Sequence, residues 1–413
     1  MMTILDDSSD SIFVQIASYR DPELLPTIRD CIAKCKNPER LTFGICWQRD
    51  EAESMEEFAD DPRFRIIDVP FNKSLGLCWA RCQIQKLWKG EKYTMQLDSH
   101  HRFAQDWDVQ LIEMMALTGS PKPIITAYAG MYRPKGNILL NVDPYKMVPS
   151  NFTLSGTIMF YPNGIQGWEK LEKPIPARFV SGHFFFTLGI HCEEYKYDPN
   201  LYFAGDEISL SIRSFTLGYD LFHPHRTVVW HEYTREGRVK HWDDFNGENV
   251  EKGVVHDSWS NMNNSSLRRL RHMLQEEDNG IDLGEYGLGT VRTHRDFELY
   301  AGIDFARRRL HPKSKEGIDP PINDDSDWSK LEEKQYNVKL YIPKVPEFKF
   351  IYVGVETKST KVLFRQDLTE YQPVVEASFV STEEPYMYVV WPMDKNGEWM
   401  ERKNILFTPD ELK

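Results

Sequence analysis

The sequence predicts an α/β chain with a mostly parallel central sheet, followed by a small all-β module. Three observations carry this. From Ile12 to Tyr128 short apolar runs alternate with helix-length amphipathic segments, the order that builds a parallel sheet with right-handed crossovers. Residues 313–334 are rich in Pro, Asp, Ser and Lys and read as a linker. Beyond Val338 only short alternating runs remain, at 348–353, 361–364, 374–379 and 386–391, the pattern of a sandwich. The expected boundaries are a disordered acidic leader at 1–11, the α/β domain at 12–311, a linker at 312–336 and a β-sandwich-like accessory domain at 337–413.

Taken in order, residues 12–17 read as a buried first strand that ends at Ser18-Tyr19-Arg20-Asp21. Pro22 leads into a helix over 24–35. Strands follow at 41–47 and 64–69, with a short acidic helix expected over 51–58. In 76–88 Leu77, Ala80, Ile84 and Trp88 recur at helical spacing and Gly90 stops the run. Arg81 lies beside that stripe, either as a solvated helix charge or as a grip on a phosphate or carboxylate. Residues 93–97 alternate, with Tyr93, Met95 and Leu97 on one side and Thr94 and Gln96 on the other, as a strand does.

At Asp98-Ser99-His100 the chemistry changes. A carboxylate and an imidazole two residues apart, just past the end of a strand, sit where open α/β sheets bind ligands. Asp and Ser are also common turn formers, so a metal or phosphate site and an ordinary turn both remain open on this D-x-H pattern alone. A helix over 107–117 and a strand over 124–128 follow. The pattern then weakens between 132 and 176 into loops and short strands.

Residues 178–187 read as a strand around Gly182, and a glycine inside a strand often marks a close backbone approach to a ligand. A helix over 202–213 opens with Asp206 and Glu207, which suit the positive end of a helix dipole. A strand at 219–222 precedes His223, His225 and His231, three histidines in nine residues beside strand ends, which favours a metal ligand among them. The polar segment 237–260 suits a mobile active-site loop. Helices are expected over 265–277 and, after residues 284–289, on to 309.

Composition narrows the function. The chain has 413 residues, 41% hydrophobic and 27% charged, as ordinary soluble domains do. A net charge of −13 without a basic block argues against a nucleic-acid groove. A nucleotide stays possible, because a bound cation can offset a diphosphate. No apolar stretch approaches a membrane span and no signal pattern opens the chain. Six cysteines without paired C-x-x-C motifs read as reduced core thiols, so a cytoplasmic location is expected. Aromatic residues at 13% are compatible with a surface that handles carbohydrate.

Several motifs then match one pattern in order: 12–21, Gly76…Ala80-Arg81, Leu97-Asp98-Ser99-His100, Gly205-Asp206-Glu207-Ile208-Ser209, Arg213…Gly218-Tyr219, and Trp230-His231-Glu232-Tyr233-Thr234-Arg235. Together they resemble the GlcNAc-transferase family that modifies hydroxyproline, itself similar to the polypeptide N-acetylgalactosaminyltransferases. The resemblance runs from Ile12 to Arg309 and leaves the β module aside. It implies a GT-A glycosyltransferase fold and a retaining transfer of GlcNAc from UDP-GlcNAc to a hydroxyl of a protein or peptide, hydroxyproline or Ser/Thr. It also implies a divalent cation, usually Mn²⁺.

Carried over by position, Asp98, His100 and His231 would hold the metal. Ser18, Tyr19, Arg20, Arg81, Asp98, Gly182, Asp206 and Glu207 would bind the donor, and Asp206 and Glu207 would be the candidate catalytic carboxylates. The mucin-type relatives carry Glu-Asn where this chain has Asp206-Glu207. Other readings are the same fold acting on a glycan or small-molecule acceptor, a metal hydrolase built on His223, His225 and His231, and a non-catalytic carbohydrate- or protein-binding scaffold.

Overall fold

The computed structural model describes residues 10–153, 155–235, 237–321 and 334–412, which fall into two compact units on either side of residues 322–333. In the first unit the strands are β1 (Ile12–Tyr19), β2 (Leu41–Arg49), β3 (Phe64–Pro70), β4 (Tyr93–Asp98), β5 (His101–Phe103), β6 (Pro123–Thr126), β7 (Gly130–Arg133), β8 (Ile138–Leu139), β9 (Tyr145–Phe152), β10 (Ile158–Gly164), β11 (Ile175–Pro176), β12 (Phe184–Leu188), β13 (Asp220–His223), β14 (Val229–His231), β15 (Ile303–Asp304) and β16 (Arg309–Leu310). Its helices are α1 (Leu24–Lys34), α2 (Leu77–Gln85), α3 (Trp107–Thr118), α4 (His191–Glu194), α5 (Asp206–Thr216), α6 (His241–Asp244), α7 (Gly247–Glu251), α8 (Trp259–Met273), α9 (His294–Ala301) and α10 (Pro312–Lys315).

Eight strands form the main sheet in the order β11-β13-β6-β12-β4-β1-β2-β3. Strands β4, β1, β2 and β3 run parallel, while β12 lies antiparallel between β4 and β6. The period of two along β1 explains the layers. Ile12, Val14 and Ile16 pack with Leu24 and Ile28 of α1 and Trp107 and Leu111 of α3, whereas Phe13 packs with Ala80 and Ile84 of α2 on the opposite face. Helix α5 covers that second face further along, with Ile208 and Ile212 against Ile124 and Phe185. The chain goes from β1 to β2 and β3 on one side and later returns to β4 on the other. The carboxyl ends of β1 and β4 are therefore a topological switch point, the crevice where such sheets bind ligands.

A second sheet, β5-β14-β7-β8, stands beside that crevice. Local differences from the sequence reading have physical causes. The strand expected over 178–187 is confined to Phe184–Leu188, because residues 181–183 turn their polar groups into the site. The helix expected over 51–58 is a single turn, Glu56–Phe58, and the helix expected to run on to 309 ends at Ala301 before the β15–β16 pair. Asp10 and Ser11, assigned to the leader, are placed, with Asp10 buried and paired to Lys92 at 2.6 Å; the rest of the leader lies outside the described residues. So do residues 322–333 of the linker, of which Pro312–Lys315 forms α10.

The second unit holds β17 (Lys334–Tyr341), β18 (Phe350–Glu356), β19 (Val362–Leu368), β20 (Val374–Ser381), β21 (Met387–Met393) and β22 (Lys403–Leu406). They form a β17–β20 pair and a sheet β19-β18-β21-β22, all antiparallel. Val338, Leu340, Val375 and Ala377 of the first sheet share one core with Ile351, Val353, Val355 and Val390 of the second, as in a sandwich. All six cysteines are free and buried. Among the described residues no helix is long and apolar enough to cross a membrane.

Candidate active site

The alternation along β4 decides where its end points. Tyr93, Met95 and Leu97 face the α1/α3 core, so Thr94, Gln96 and Asp98 face α2 and α5. On that face Thr94 accepts from Gln15 at 2.8 Å and Gln96 Nε2 donates to the Gly182 carbonyl at 2.8 Å, while Gln96 Oε1 is buried without a partner. Asp98, the last residue of the strand, projects beyond them.

Two histidines meet it there. His100 follows in the turn, and His231 is brought alongside because β14 pairs with β5 through His231 and His101. Asp98 Oδ2 lies 3.8 Å from His100 Nε2 and 3.6 Å from His231 Nε2. One potential ligand atom from each of the three falls within 4.8 Å of the others. Such separations are too long for hydrogen bonds but suit a cation: bonds of about 2.1 Å set neighbouring octahedral ligands about 3 Å apart. Both ring nitrogens of His231 are buried without a hydrogen-bond partner, and burial with the neighbouring imidazoles holds its pKa well below the ordinary range. A neutral imidazole is what a metal requires. For Asp98, burial raises the carboxyl, yet Arg81 and the imidazoles prevail and keep it below its usual value. The donor set of one carboxylate and two imidazoles fits a divalent ion such as Mn²⁺.

Arg81 on α2 ties this cluster to α5. Its guanidinium, 2% exposed, donates to Asp98 at 3.1 Å, to the Gly182 carbonyl at 2.6 Å and to Asp206. It is a buried bridge between two carboxylates, and the solvated-charge reading falls away. The Gly182 N–H in turn donates to Glu207 Oε1 at 3.0 Å, and Tyr128 donates to Glu207 Oε2 at 2.9 Å. A β-carbon at Gly182 would sit 2.7 Å from Asp206 Oδ2 and 3.3 Å from Glu207 Cγ, so the backbone approach needs glycine. Gly205, at φ +88°, sets the two acids at the start of α5, and a β-carbon there would strike Leu270 at 2.1 Å. Burial raises Asp206 and pushes Glu207 up to about 7.

An open cavity adjoins the cluster, lined by Tyr19, Asp21, Gln48, Asp98, His100, Tyr202, His231, Arg238, His241 and Trp242 among others. The residues at the end of β1 divide. Tyr19 lines the cavity and donates to Asp244 at 2.8 Å. Ser18 is buried with its hydroxyl unpartnered. Arg20 instead bonds Asp50 at 3.0 Å and Asp244 at 2.8 Å and stacks on Phe71. Segment 237–260 is folded, carrying α6 and α7, and is fastened over the cavity by Asp244 and by His241, which meets Tyr202 at 2.8 Å and Ser74 at 2.9 Å.

Four residues here went unassigned in the sequence. His101 and His183 flank His231, with ring centroids 4.9 and 4.4 Å away, and Asp21 and Arg238 both reach His100. Only Asp21 left a signal, a carboxylate two residues past the end of β1. His223 does not join the cluster: its Nδ1 meets the Thr126 carbonyl at 2.8 Å and its Nε2 accepts from Met147 N–H at 3.3 Å. The hydrolase reading thereby loses its ligand set. Among the described residues, Asp98, His100 and His231 form the one such group of three.

Comparison with known proteins gives the family and the fold. A family profile described as Glycosyltransferase (GlcNAc) matches residues 11–61 and 52–307. Among solved structures the chain superposes on GalNAc-T7, crystallised with UDP, GalNAc and Mn²⁺, with a TM-score of 0.51 at 13% identity over 98% of this chain and 73% of that one. That likeness establishes the fold. S. aureus TarS 1–349 gives 0.35 at 10% identity over 54% and 60% of the two chains, too low to argue from. No curated protein sequence matches.

Proposed function

Because the chain belongs to the GlcNAc glycosyltransferase family, we propose that this crevice transfers GlcNAc from UDP-GlcNAc, with retention of configuration, to a hydroxyl of a protein or peptide, hydroxyproline or Ser/Thr. The observation that carries the reading is the convergence of Asp98, His100 and His231 on one point at the carboxyl ends of β1 and β4. GalNAc-T7, whose fold this chain shares, was crystallised with a UDP nucleotide and Mn²⁺, which supports a metal-assisted UDP-sugar site here. A divalent cation at these three residues would supply charge neutralisation for the departing diphosphate.

The chain's own residues do the rest. Tyr19, which lines the cavity, is assigned to the base and ribose, with buried Ser18 behind it and Arg20 bracing the segment through Asp244 and Asp50. Arg81, Gly182, Asp206 and Glu207, bonded to one another behind Asp98, are assigned to the transferred sugar. In the reaction the acceptor oxygen bonds to the anomeric carbon as the bond to the UDP oxygen breaks, and the acceptor proton passes to a leaving phosphate oxygen. The alternative, a covalent step on an enzyme carboxylate, is disfavoured by what the two acids already do. Asp206 is committed to Arg81, and both oxygens of Glu207 accept hydrogen bonds while burial favours its protonated form. Asp206 and Glu207 are therefore assigned to the sugar rather than to nucleophilic attack.

The test is UDP release from UDP-GlcNAc with a peptide acceptor, with and without Mn²⁺, alongside UDP-GalNAc and UDP-Glc. Release that depends on Mn²⁺ and is fastest with UDP-GlcNAc supports the reading. Turnover unaffected by chelation would remove the metal from it, and no turnover of any UDP-sugar would remove the activity.

A further inference from the structure

Asp21 lies two residues beyond β1, and its side chain is 4% exposed. Each of its oxygens is already engaged: Oδ1 accepts from the Glu23 N–H at 2.9 Å, and Oδ2 accepts from Ser99 Oγ at 2.7 Å. Oδ2 also accepts from Arg238 Nη1 at 3.2 Å, and at the shorter distance of 2.7 Å from it stands His100 Nδ1. The other nitrogen of that ring, Nε2, is the one facing Asp98 and His231.

These facts constrain the ring. A neutral imidazole carries one proton. With the proton on Nδ1, His100 donates to Asp21 and the Nε2 lone pair points at the candidate metal position. With the proton on Nε2 that lone pair is gone, and Nδ1 can only accept. The structure contains a group that would favour the second state. Arg238, in the segment after β14, directs Nη1 at the same His100 Nδ1 while its Nη2 donates to buried Glu232 at 2.6 Å. An Arg N–H and an Nδ1–H are both donors and cannot satisfy each other. Asp21 and Arg238 therefore pull the ring toward opposite tautomers.

We propose that Asp21 is the positioning residue of the site: it holds the proton of His100 on Nδ1 and so keeps Nε2 free to ligate, while Arg238 contests that nitrogen. Carboxylates that orient metal-bound histidines in this way are a general device, and removing one weakens metal affinity about 10- to 100-fold. The inference rests on the reading of Asp98, His100 and His231 as metal ligands, and the experiment separates the two.

Mn²⁺ is titrated against the full chain at fixed UDP and followed by electron paramagnetic resonance, in wild type, His100→Ala, Asp21→Asn and Arg238→Met. Binding in wild type that is lost in His100→Ala upholds the ligand reading. Asp21→Asn is then expected to raise the Mn²⁺ Kd about 10- to 100-fold with an unchanged melting temperature, and Arg238→Met to bind at least as tightly as wild type. Equal affinity in Asp21→Asn and wild type overturns the inference alone. Weaker binding in Arg238→Met overturns the contest. No binding in wild type overturns the inference together with the reading beneath it. Should Asp21→Asn fail to fold, long-range ¹H–¹⁵N spectra of the wild-type histidines without added metal decide. A proton on His100 Nδ1 supports the proposal and a proton on Nε2 refutes it.

Discussion

In the unit of residues 334–412 the buried side chains are mostly apolar, among them Val338, Leu340, Ile351, Val353, Val355, Val375, Ala377 and Val390. Its buried carboxylate, Glu356, is held by Arg402 at 2.8 and 3.0 Å. At the ends of β1 and β4 in the other unit, Asp21, Arg81, Asp206, His101, His183 and His231 are all buried within one region. Ser18 Oγ, His101 Nε2 and both nitrogens of His231 lack partners there, and no such atom occurs among the described residues of 334–412. Leaving a buried polar atom unpaired costs about 1–3 kcal/mol. A fold carries several such atoms in one place only where something else meets them. The contrast separates a core whose composition serves stability from a cluster whose composition serves a ligand.

That contrast can be broken from either side. His231→Ala removes an unpartnered buried group, so the fold is expected to tolerate it, while metal-dependent UDP release falls roughly 10³-fold, the scale of several kcal/mol of lost charge stabilisation. A variant that unfolds but retains specific activity while folded would make His231 a structural residue after all. Leu340→Ala is the mirror case. Leu340 is fully buried in the sandwich core, and its truncation is expected to cost about 2–5 kcal/mol, read as a lower unfolding midpoint, with UDP release per folded molecule unchanged. Altered turnover in that variant would assign the second unit a part in the reaction.

How far the sequence reveals each region follows from the same difference. The sandwich core and β1–β4 are periodic, and period two in strands and 3.6 in helices can be read locally. The cluster is assembled by pairings between distant residues. Asp98 and His100 announce themselves as a D-x-H at a strand end, and Gly205-Asp206-Glu207 as a helix start. That His231 belongs with them and His223 does not depends on β14 pairing with β5, which no local pattern encodes; only the ordered family motifs select it. His183 and Arg238 are set by side-chain geometry alone and leave no trace in spacing. The strand expected over 178–187 fails for a related reason: the polar contacts of Ser181 and Gly182 with Thr126, His183 and Glu207 outweigh the extended propensity of the apolar run.

The smallest expected effect is the sharpest test of the contrast, because here a site residue should be worse for stability than its neutral isostere. Burial raises the Glu207 carboxyl from an ordinary 4.5 to about 7. Between those values the folded chain keeps a proton that the unfolded chain has released, so stability falls as pH rises through this window. The total approaches about 3 kcal/mol above pH 7, at 1.36 kcal/mol per unit. Glu207→Gln removes the titration while keeping an acceptor for the Gly182 N–H or for Tyr128. The variant is expected to match wild type near pH 4 and to exceed it in melting temperature at pH 8, with a flatter profile between. Equal slopes in the two proteins would mean that Glu207 ionises without penalty inside the fold, and the argument that burial disfavours its use as an anionic nucleophile would fall with it.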